Sequence, residues 1–412
     1  MPRLIRKSLR ALREGDFTEK TVDYLFRRTR KCSMHLLSKR RPVQRNKILI
    51  MTYQNDYACN PKYIAEELLR QQLPVDIVWA LQKKAAMAHF PAGIRFVRRG
   101  SLKFYREAMT ARIWIDNALN FFWEDTPKNK DTVMINTWHG SMGLKRFGRD
   151  DNKDAHWKKK TMRCATDTDV CISDSDFEDD VYRTTYWPQT EIWKVGHPRN
   201  DILFASEDVQ RRIRQKVLAF FQLPDTVRLA LYAPTFRDSH AIDCYGIDYD
   251  GLCRALHERF GGEWAVLARH HFHLRRNKEA KRSIQELARV CPATDYVDMQ
   301  DLMVAADVGI TDYSSWICDF ALTKKPGFLF ATDLRDYNAE RGFYYPLDEK
   351  PFPIAQDNEE LMQAIRAFDP ERFEKRRQAF LRARGCMEDG QASRRVVEQI
   401  KALIQQPEVQ RV

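Results

Sequence analysis

Thr132-Val133-Met134-Ile135-Asn136 runs directly into Thr137-Trp138-His139-Gly140, and Val308-Gly309-Ile310 runs into Thr311-Asp312-Tyr313-Ser314-Ser315. Each stretch is a short β-forming run that ends in a turn and precedes a helical pattern. In an α/β protein that junction offers backbone N–H groups and a helix N-terminus to a phosphate. The two junctions fall in different halves of the chain, so they belong to half-molecules able to face one another across a cleft. The arrangement points to a transferase acting on a phosphorylated or nucleotide-activated donor.

Outward from these junctions the chain alternates strands with helices. Lys47-Ile48-Leu49-Ile50-Met51-Thr52 reads as a buried strand, followed by a helix near residues 61–72 and strands at 75–81, 94–97 and 113–116, with a helix at 101–110. Strands at 170–173 and 192–195 lead to Gly196-His197-Pro198-Arg199-Asn200-Asp201. A second series reads as helix 207–222, strand 229–233, helix 249–260, strand 264–268, helix 278–290 and strands 296–297 and 308–311. Helices at 371–384 and 393–405 follow. Such alternation predicts parallel sheets wound by crossover units. The expected organisation is a basic amphipathic helical segment (1–44), a Rossmann-like acceptor domain (45–203), a Rossmann-like nucleotide-donor domain (204–370) and C-terminal helices (371–412). This α/β layout resembles the two-domain GT-B architecture.

At 412 residues the chain is too long for one ordinary core, and with 43% hydrophobic and 31% charged residues it has a globular composition. No stretch has the apolar length of a membrane span or the core of a signal peptide. The nine cysteines are scattered without a Cys-x-x-Cys, as in a cytoplasmic protein with reduced thiols. The net charge of +12 is concentrated at one end. The first fifty residues hold 15 Lys/Arg against 4 Asp/Glu, leaving a balance of only +1 for the rest. Leu4, Ile5, Leu9 and Leu12, and then Val22, Leu25, Phe26, Leu36 and Leu37, recur among those cations at near-helical spacing. Basic amphipathic helices suit an anionic membrane surface; a helix packed on the first domain, or a nucleic-acid arm, is the alternative.

Several residue groups carry chemistry. Ser314 and Ser315 offer hydroxyl and N–H donors to phosphate oxygens, or simply cap the helix that follows. Asp319, one turn further, can hold a donor hydroxyl or the nucleotide, or is an ordinary polar helix residue. Arg269-His270-His271 closes another second-half strand, where a cation and an imidazole can neutralise a diphosphate and protonate a leaving phosphate. With His273 these histidines raise the question of metal, but no carboxylate or cysteine completes a usual spacing. His139 can accept a proton from an attacking hydroxyl while Gly140 lets substrate approach the backbone, although a lone histidine is more often structural. Asp167-Thr168-Asp169 and Asp174-Ser175-Asp176 have the Asp-x-Asp form that holds a divalent metal in some glycosyltransferases, a pattern that also arises by chance. There is no Gly-x-Gly-x-x-Gly, P-loop or His-Glu-x-x-His.

Seven blocks, in order, resemble the CDP-glycerol glycerophosphotransferase family of teichoic-acid and capsule synthesis. They are Asn60-Pro61-Lys62, Asn136 to Gly140 with Leu144-Lys145 and Gly148, Gly196 to Asp201, Tyr232-Ala233-Pro234-Thr235-Phe236-Arg237, Arg269-His270-His271, Thr311 to Ser315 with Asp319, and Arg341-Gly342-Phe343-Tyr344. The likeness spans roughly residues 45–400. It implies a GT-B-like fold and a membrane-associated enzyme, which with the basic segment 1–44 places the expected protein against the anionic inner face of the cell membrane. It further implies a donor of the CDP-alditol type, CDP-glycerol or CDP-ribitol; a lipid-linked glycan or polyol-phosphate acceptor is expected, with no cofactor and no nucleic acid. Catalytic histidines are implied at His139 and His271. Substrate contacts are expected at Gly140, Lys145, Arg199, Asn200, Asp201, Thr235, Arg237, Arg269, Thr311, Asp312, Ser314, Ser315, Asp319 and Arg341. Two departures stand out: Ser141-Met142-Gly143 replaces a Thr-Pro-like pair, and Phe272 follows His271 where proline is common.

The expected reaction passes the hydroxyl proton of an acceptor to His139, attacks the β-phosphorus of the CDP-alditol and releases CMP. The rival enzymatic reading is a GT-B glycosyltransferase using a nucleotide-sugar in cell-surface polysaccharide synthesis. A non-enzymatic nucleic-acid or membrane-binding protein would spread cations and aromatics along a groove, which the near-neutral remainder of the chain opposes.

Overall fold

The computed structural model describes residues 42–53, 56–83, 90–124, 126–143, 145–150, 155, 158–159, 162, 165–235, 246–269 and 289–405. Two parallel sheets organise them. The first contains β1 (Gln44–Met51), β2 (Asp76–Leu81), β3 (Ile94–Arg98), β4 (Ala111–Asp116), β5 (Val133–Asn136), β6 (Val170–Ser173) and β7 (Glu191–Lys194), in the order β3-β2-β1-β4-β5-β6-β7. The second contains β8 (Arg228–Tyr232), β9 (Trp264–Ala268), β10 (Val290–Pro292), β11 (Val308–Thr311), β12 (Gly327–Phe330) and β13 (Ile354–Ala355), in the order β10-β9-β8-β11-β12-β13. All neighbouring strands are parallel.

The strand sequences explain this. Ile48, Leu49, Ile50 and Met51 are all fully buried, with Ile48 and Ile50 in one apolar cluster and Leu49 and Met51 in another. A continuous aliphatic run of this kind belongs to a strand covered on both faces. Between β3 and β4 the helix Leu102–Thr110 is started by Ser101, whose hydroxyl accepts from the Phe104 amide.

In each sheet the first strand lies inside, β1 between β2 and β4, and β8 between β9 and β11. The winding direction therefore reverses next to β1 and next to β8, which opens a crevice beyond the carboxyl ends of the strands. The first crevice lies past Met51 and Asp116, the second past Tyr232 and Thr311. The halves are joined by the 3-10 segment Pro198–Phe204 and again near the C-terminus. The helix Pro370–Ala383 buries Phe373 and Phe380 in the second core, whereas Ala392–Gln405 returns to bury Val396, Val397 and Ile400 against Ile48 and Ile64 of the first. Two Rossmann-like units facing a cleft are the GT-B arrangement expected from the sequence.

Some elements differ from expectation. The strand expected at 296–297 is instead Val290–Pro292, because the carbonyls of Tyr296 and Val297 accept from the Arg269 guanidinium and not from a ladder. Most of the helix expected at 278–290 lies outside the described residues, as does the basic segment 1–41. β12 and the two-residue β13 were not anticipated. Among the described residues no helix starts directly after Thr137-Trp138-His139-Gly140: the chain is irregular through Gly143, and the 3-10 turn Gly148–Asp150 comes next.

Candidate active site

The two crevices meet in a cavity of about 600 Å³. His139, Gly140, Lys145 and Arg199 line it from the first half and the linking segment, and Thr235, Arg269, Ser314, Ser315, Asp319 and Arg341 from the second. His271 and Arg237 lie outside the described residues. Tyr53, Asp56, Asn117 and Tyr337, which the sequence did not single out, also line the cavity.

His139 is delivered by a strained turn. Trp138 has φ +45°, a conformation that L-residues rarely adopt outside sites where the surroundings impose it. Here the Trp138 amide donates to Asn136 Oδ1 at 2.8 Å, and its ring packs on Phe147, Tyr186 and Trp187 at 5.3–5.7 Å. The turn projects the His139 ring into the cleft, parallel to Tyr53 at 5.5 Å and tilted against Trp138 at 4.6 Å. His139 Nδ1 lies 2.6 Å from the Asn117 carbonyl. A carbonyl only accepts, so Nδ1 carries the proton and Nε2 keeps its lone pair. The cleft walls around the ring, with Arg199 and Lys145 close by, shift its pKa below the ordinary histidine value. Although the ring faces the open cleft, both the desolvation and the neighbouring cations favour a neutral imidazole at pH 7.

The turn is held from behind. Asn60 Nδ2 donates to the Thr137 carbonyl at 3.0 Å, and Arg199 Nη2 donates to the Gly140 carbonyl at 2.6 Å. Arg199 also pairs with Asp319 at 2.9 Å, both side chains being about 4% exposed. One buried ion pair thus connects the His139 turn to the helix Trp316–Ala321 behind the two serines. Lys62 and Asp298 form a second bridge between the halves at 2.5 Å.

On the opposite wall, Ser315 precedes the helix Trp316–Ala321 without capping it through its side chain. Among the described residues neither the Ser314 nor the Ser315 hydroxyl is spent on a protein partner. The plain capping alternative therefore does not account for them. Thr311 and Asp312 do not line the cavity. The Thr311 hydroxyl donates to the Ala233 carbonyl, and Asp312 accepts from the amides of Thr235 and Tyr313, so they build the turn. Asn200 and Asp201 are likewise not cavity residues. Asn200 donates to Asp319 and Glu388, and Asp201 accepts from the amides of Ala392 and Ser393 at the start of the last long helix. Arg269 reaches the cavity wall, but its guanidinium donates to the carbonyls of Ala293, Tyr296 and Val297.

The Asp-x-Asp pairs do not converge: Asp169 accepts from Lys128 and the Met134 amide, and Asp176 pairs with Lys194 at the surface. Instead Asp174 joins Glu178 and His197 in a buried cluster whose ligand atoms lie within 4.8 Å of one another. Hydrogen bonding settles its character. Asn60 Oδ1 accepts from the Arg199 amide, so its Nδ2 is the group facing His197 Nδ1 at 3.3 Å. His197 Nδ1 is then an acceptor, Nε2 carries the proton, and it donates to Glu178 Oε2 at 2.9 Å. A nitrogen that donates to a carboxylate has no lone pair for a metal. The cluster is a hydrogen-bonded network, continued through Ser141 Oγ, which donates to Asp174 at 2.5 Å.

Burial pushes Asp174 and Glu178 up to about 7, Asp174 further raised by Glu178 and Glu178 opposed by Arg199, and burial raises Glu388 well above the usual range. His197 is pushed down to about 4, by burial first and then Arg199. Raised carboxyls bind protons in the folded state that the unfolded chain has released. Their contribution is complete below their unfolded values and is lost as pH rises through about 7. His139 and His197 act only below about 6.5, where the unfolded chain takes up protons that they refuse. Calorimetry should show melting temperature falling from pH 6 to pH 8, by up to about 1.4 kcal/mol of stability per pH unit for each proton released. Asp174→Asn should flatten that fall, and a curve that rises over this interval would contradict the assignment.

A family model for CDP-Glycerol:Poly(glycerophosphate) glycerophosphotransferase matches residues 33–402. The chain belongs to this family. It is 28% identical over 347 residues to a teichoic acid poly(glycerol phosphate) polymerase of Bacillus subtilis (strain 168), a match covering 81% of this chain and 45% of that protein. The chain thus spans less than half the length of that relative. It is 28% identical over 380 residues to a teichoic acid ribitol-phosphate primase of Bacillus spizizenii (strain ATCC 23059 / NRRL B-14472 / W23), covering 90% of this chain and 94% of that one. The solved structure of the wall teichoic acid polymerase TagF superposes with a TM-score of 0.80 at 24% identity, covering 97% of this chain and 98% of that chain, a likeness of fold.

Proposed function

We propose that this glycerophosphotransferase-family chain transfers glycerol phosphate, or a related alditol phosphate, from a CDP-alditol to a hydroxyl of a lipid-linked or glycan acceptor, releasing CMP, in teichoic-acid-like or capsular polymer synthesis. The observation that carries the reading is His139 itself, a neutral imidazole whose proton is fixed on Nδ1, facing two unspent serine hydroxyls across the cleft. In this reading residues 45–203 present the acceptor and residues 204–370 hold the donor.

The acceptor hydroxyl gives its proton to His139 Nε2 as its oxygen bonds to the β-phosphorus. The bond from that phosphorus to the bridging oxygen breaks, and CMP leaves with the electron pair. Lys145, Arg341, Ser314 and Ser315 supply cations and donors to the phosphate oxygens, since phosphoryl transfer relies on positioning and charge stabilisation. Arg199 and Asp319 hold the two walls in register. His271 and Arg237 join the donor side on the strength of the family resemblance. Among the described residues no helix is long and apolar enough to cross a membrane. Contact with an anionic membrane is assigned to residues 1–44, where each cation near the lipid contributes about 1 kcal/mol.

The test is CMP release from CDP-glycerol, CDP-ribitol and nucleotide-sugars, with membranes or a lipid-linked acceptor present. Acceptor-dependent release from a CDP-alditol, with a phosphodiester in the product, is the expected result and names the donor. Turnover of a nucleotide-sugar alone, with a glycosidic product, would replace this reading by a glycosyltransferase.

A further inference from the structure

Met142 belongs to the first half by sequence and to the second by packing. It is fully buried, and its side chain is part of the second domain's core with Tyr313, Ile317, Cys318 and Tyr345. Its carbonyl accepts from the Tyr345 hydroxyl at 2.6 Å and from the Cys318 thiol at 3.5 Å. Next to it Gly143 leaves no room between the walls: a Cβ there would lie 3.0 Å from the Ser141 carbonyl and 3.3 Å from the Ser315 Cβ. On the other side Ser141 is tied back to Asp174 in the first domain.

We propose that Met142 is a positioning residue, a first-domain side chain inserted into the second domain's core that holds His139 at a set distance from Ser314 and Ser315. The loop is pulled from both ends, by Asp174 and Arg199 on one side and by the Met142 socket on the other. Opening the cleft at this point requires withdrawing a buried thioether side chain, so the base and the donor-phosphate wall move as one unit. The catalytic part of this inference rests on the function proposed above; the mechanical part does not.

Two measurements separate them. Hydrogen exchange in Met142→Ala should speed the amides of residues 137–143 by at least about tenfold, while those of β4 and β11 keep their wild-type rates. Turnover should fall by about 100-fold with donor KM changed less than about threefold, the signature of lost geometry without lost binding. Met142→Leu, close in volume, should bring both back to within about threefold of wild type. Tyr345→Phe should speed the same amides to a smaller extent. Wild-type exchange of the loop in Met142→Ala, equal speeding throughout both sheets, or no restoration by leucine would overturn the proposal. If Met142→Ala does not fold, Tyr345→Phe decides, and wild-type loop exchange in that variant sinks it. A wild-type protein that turns over no CDP-alditol would refute the proposed function and leave the exchange data to judge Met142.

Discussion

Replacing His139 with alanine is expected to lower acceptor-dependent CMP release by about 10²–10⁴-fold, the usual range for removing a general base. Donor binding should change little, because three of the phosphate-facing groups, Arg341, Ser314 and Ser315, lie on the other wall and Lys145 is left in place. The effect follows from geometry: Asn117 holds the proton on Nδ1, and the ring is fixed between Tyr53 and Trp138. His139→Asn should not rescue, since an amide cannot take the proton. The pH profile gives an independent check. Only the neutral ring accepts a proton, so activity is lost as pH falls through the folded pKa, which the cleft walls around the ring and the nearby Arg199 and Lys145 shift below the ordinary histidine value. The acid limb of kcat/KM should therefore lie well below the 6.5 of an ordinary histidine. A folded His139→Ala protein with full turnover would remove the residue from the mechanism.

The second large effect concerns Arg199. Arg199→Ala strips the partner from Asp319, deep between the domains, and releases the Gly140 carbonyl from its anchor. Removing one member of a buried pair leaves an uncompensated charge and costs about 3–5 kcal/mol. Asp319→Asn should cost less, because the amide still accepts from Asn200 or the guanidinium. Arg199→Lys should rescue poorly, since one ammonium cannot replace a planar fork that reaches Asp319 and Gly140 together. A double-mutant cycle on melting free energies should return a large coupling for Arg199 with Asp319. Near-zero coupling would mean that the pair is a bystander to domain closure.

These two residues show what could be read from the chain and what could not. The place of His139 in the cleft was legible because it follows Thr132–Asn136, a strand announced by its own side chains, and the loop after a parallel strand lies at the crevice of an α/β fold. Arg199 lines the cleft as its motif led one to expect, but a motif cannot say where a side chain spends its donors. In the fold it serves Gly140 and Asp319, 120 residues away in the chain. Asn200, Asp201, Thr311 and Asp312 belong to the same blocks as cleft residues, but their side chains are spent on partners within the walls. Glu178 and Glu388 carried no sequence signal, being ordinary acidic residues until burial brought them beside His197 and Asp174.

The sequence by itself determined the two parallel-sheet halves, the positions of most strands along the chain and the loops that meet in the cleft. Those depend on the run of apolar residues within a few positions of one another, as in Ile48–Met51, and on turns written in adjacent residues. The tertiary structure alone decided which nitrogen of His139 bears its proton, which groups are desolvated enough to change charge, and that Met142 anchors in the opposite domain. Each of those depends on partners tens to hundreds of residues away, and the energy of a buried charge is set by everything that excludes water from it.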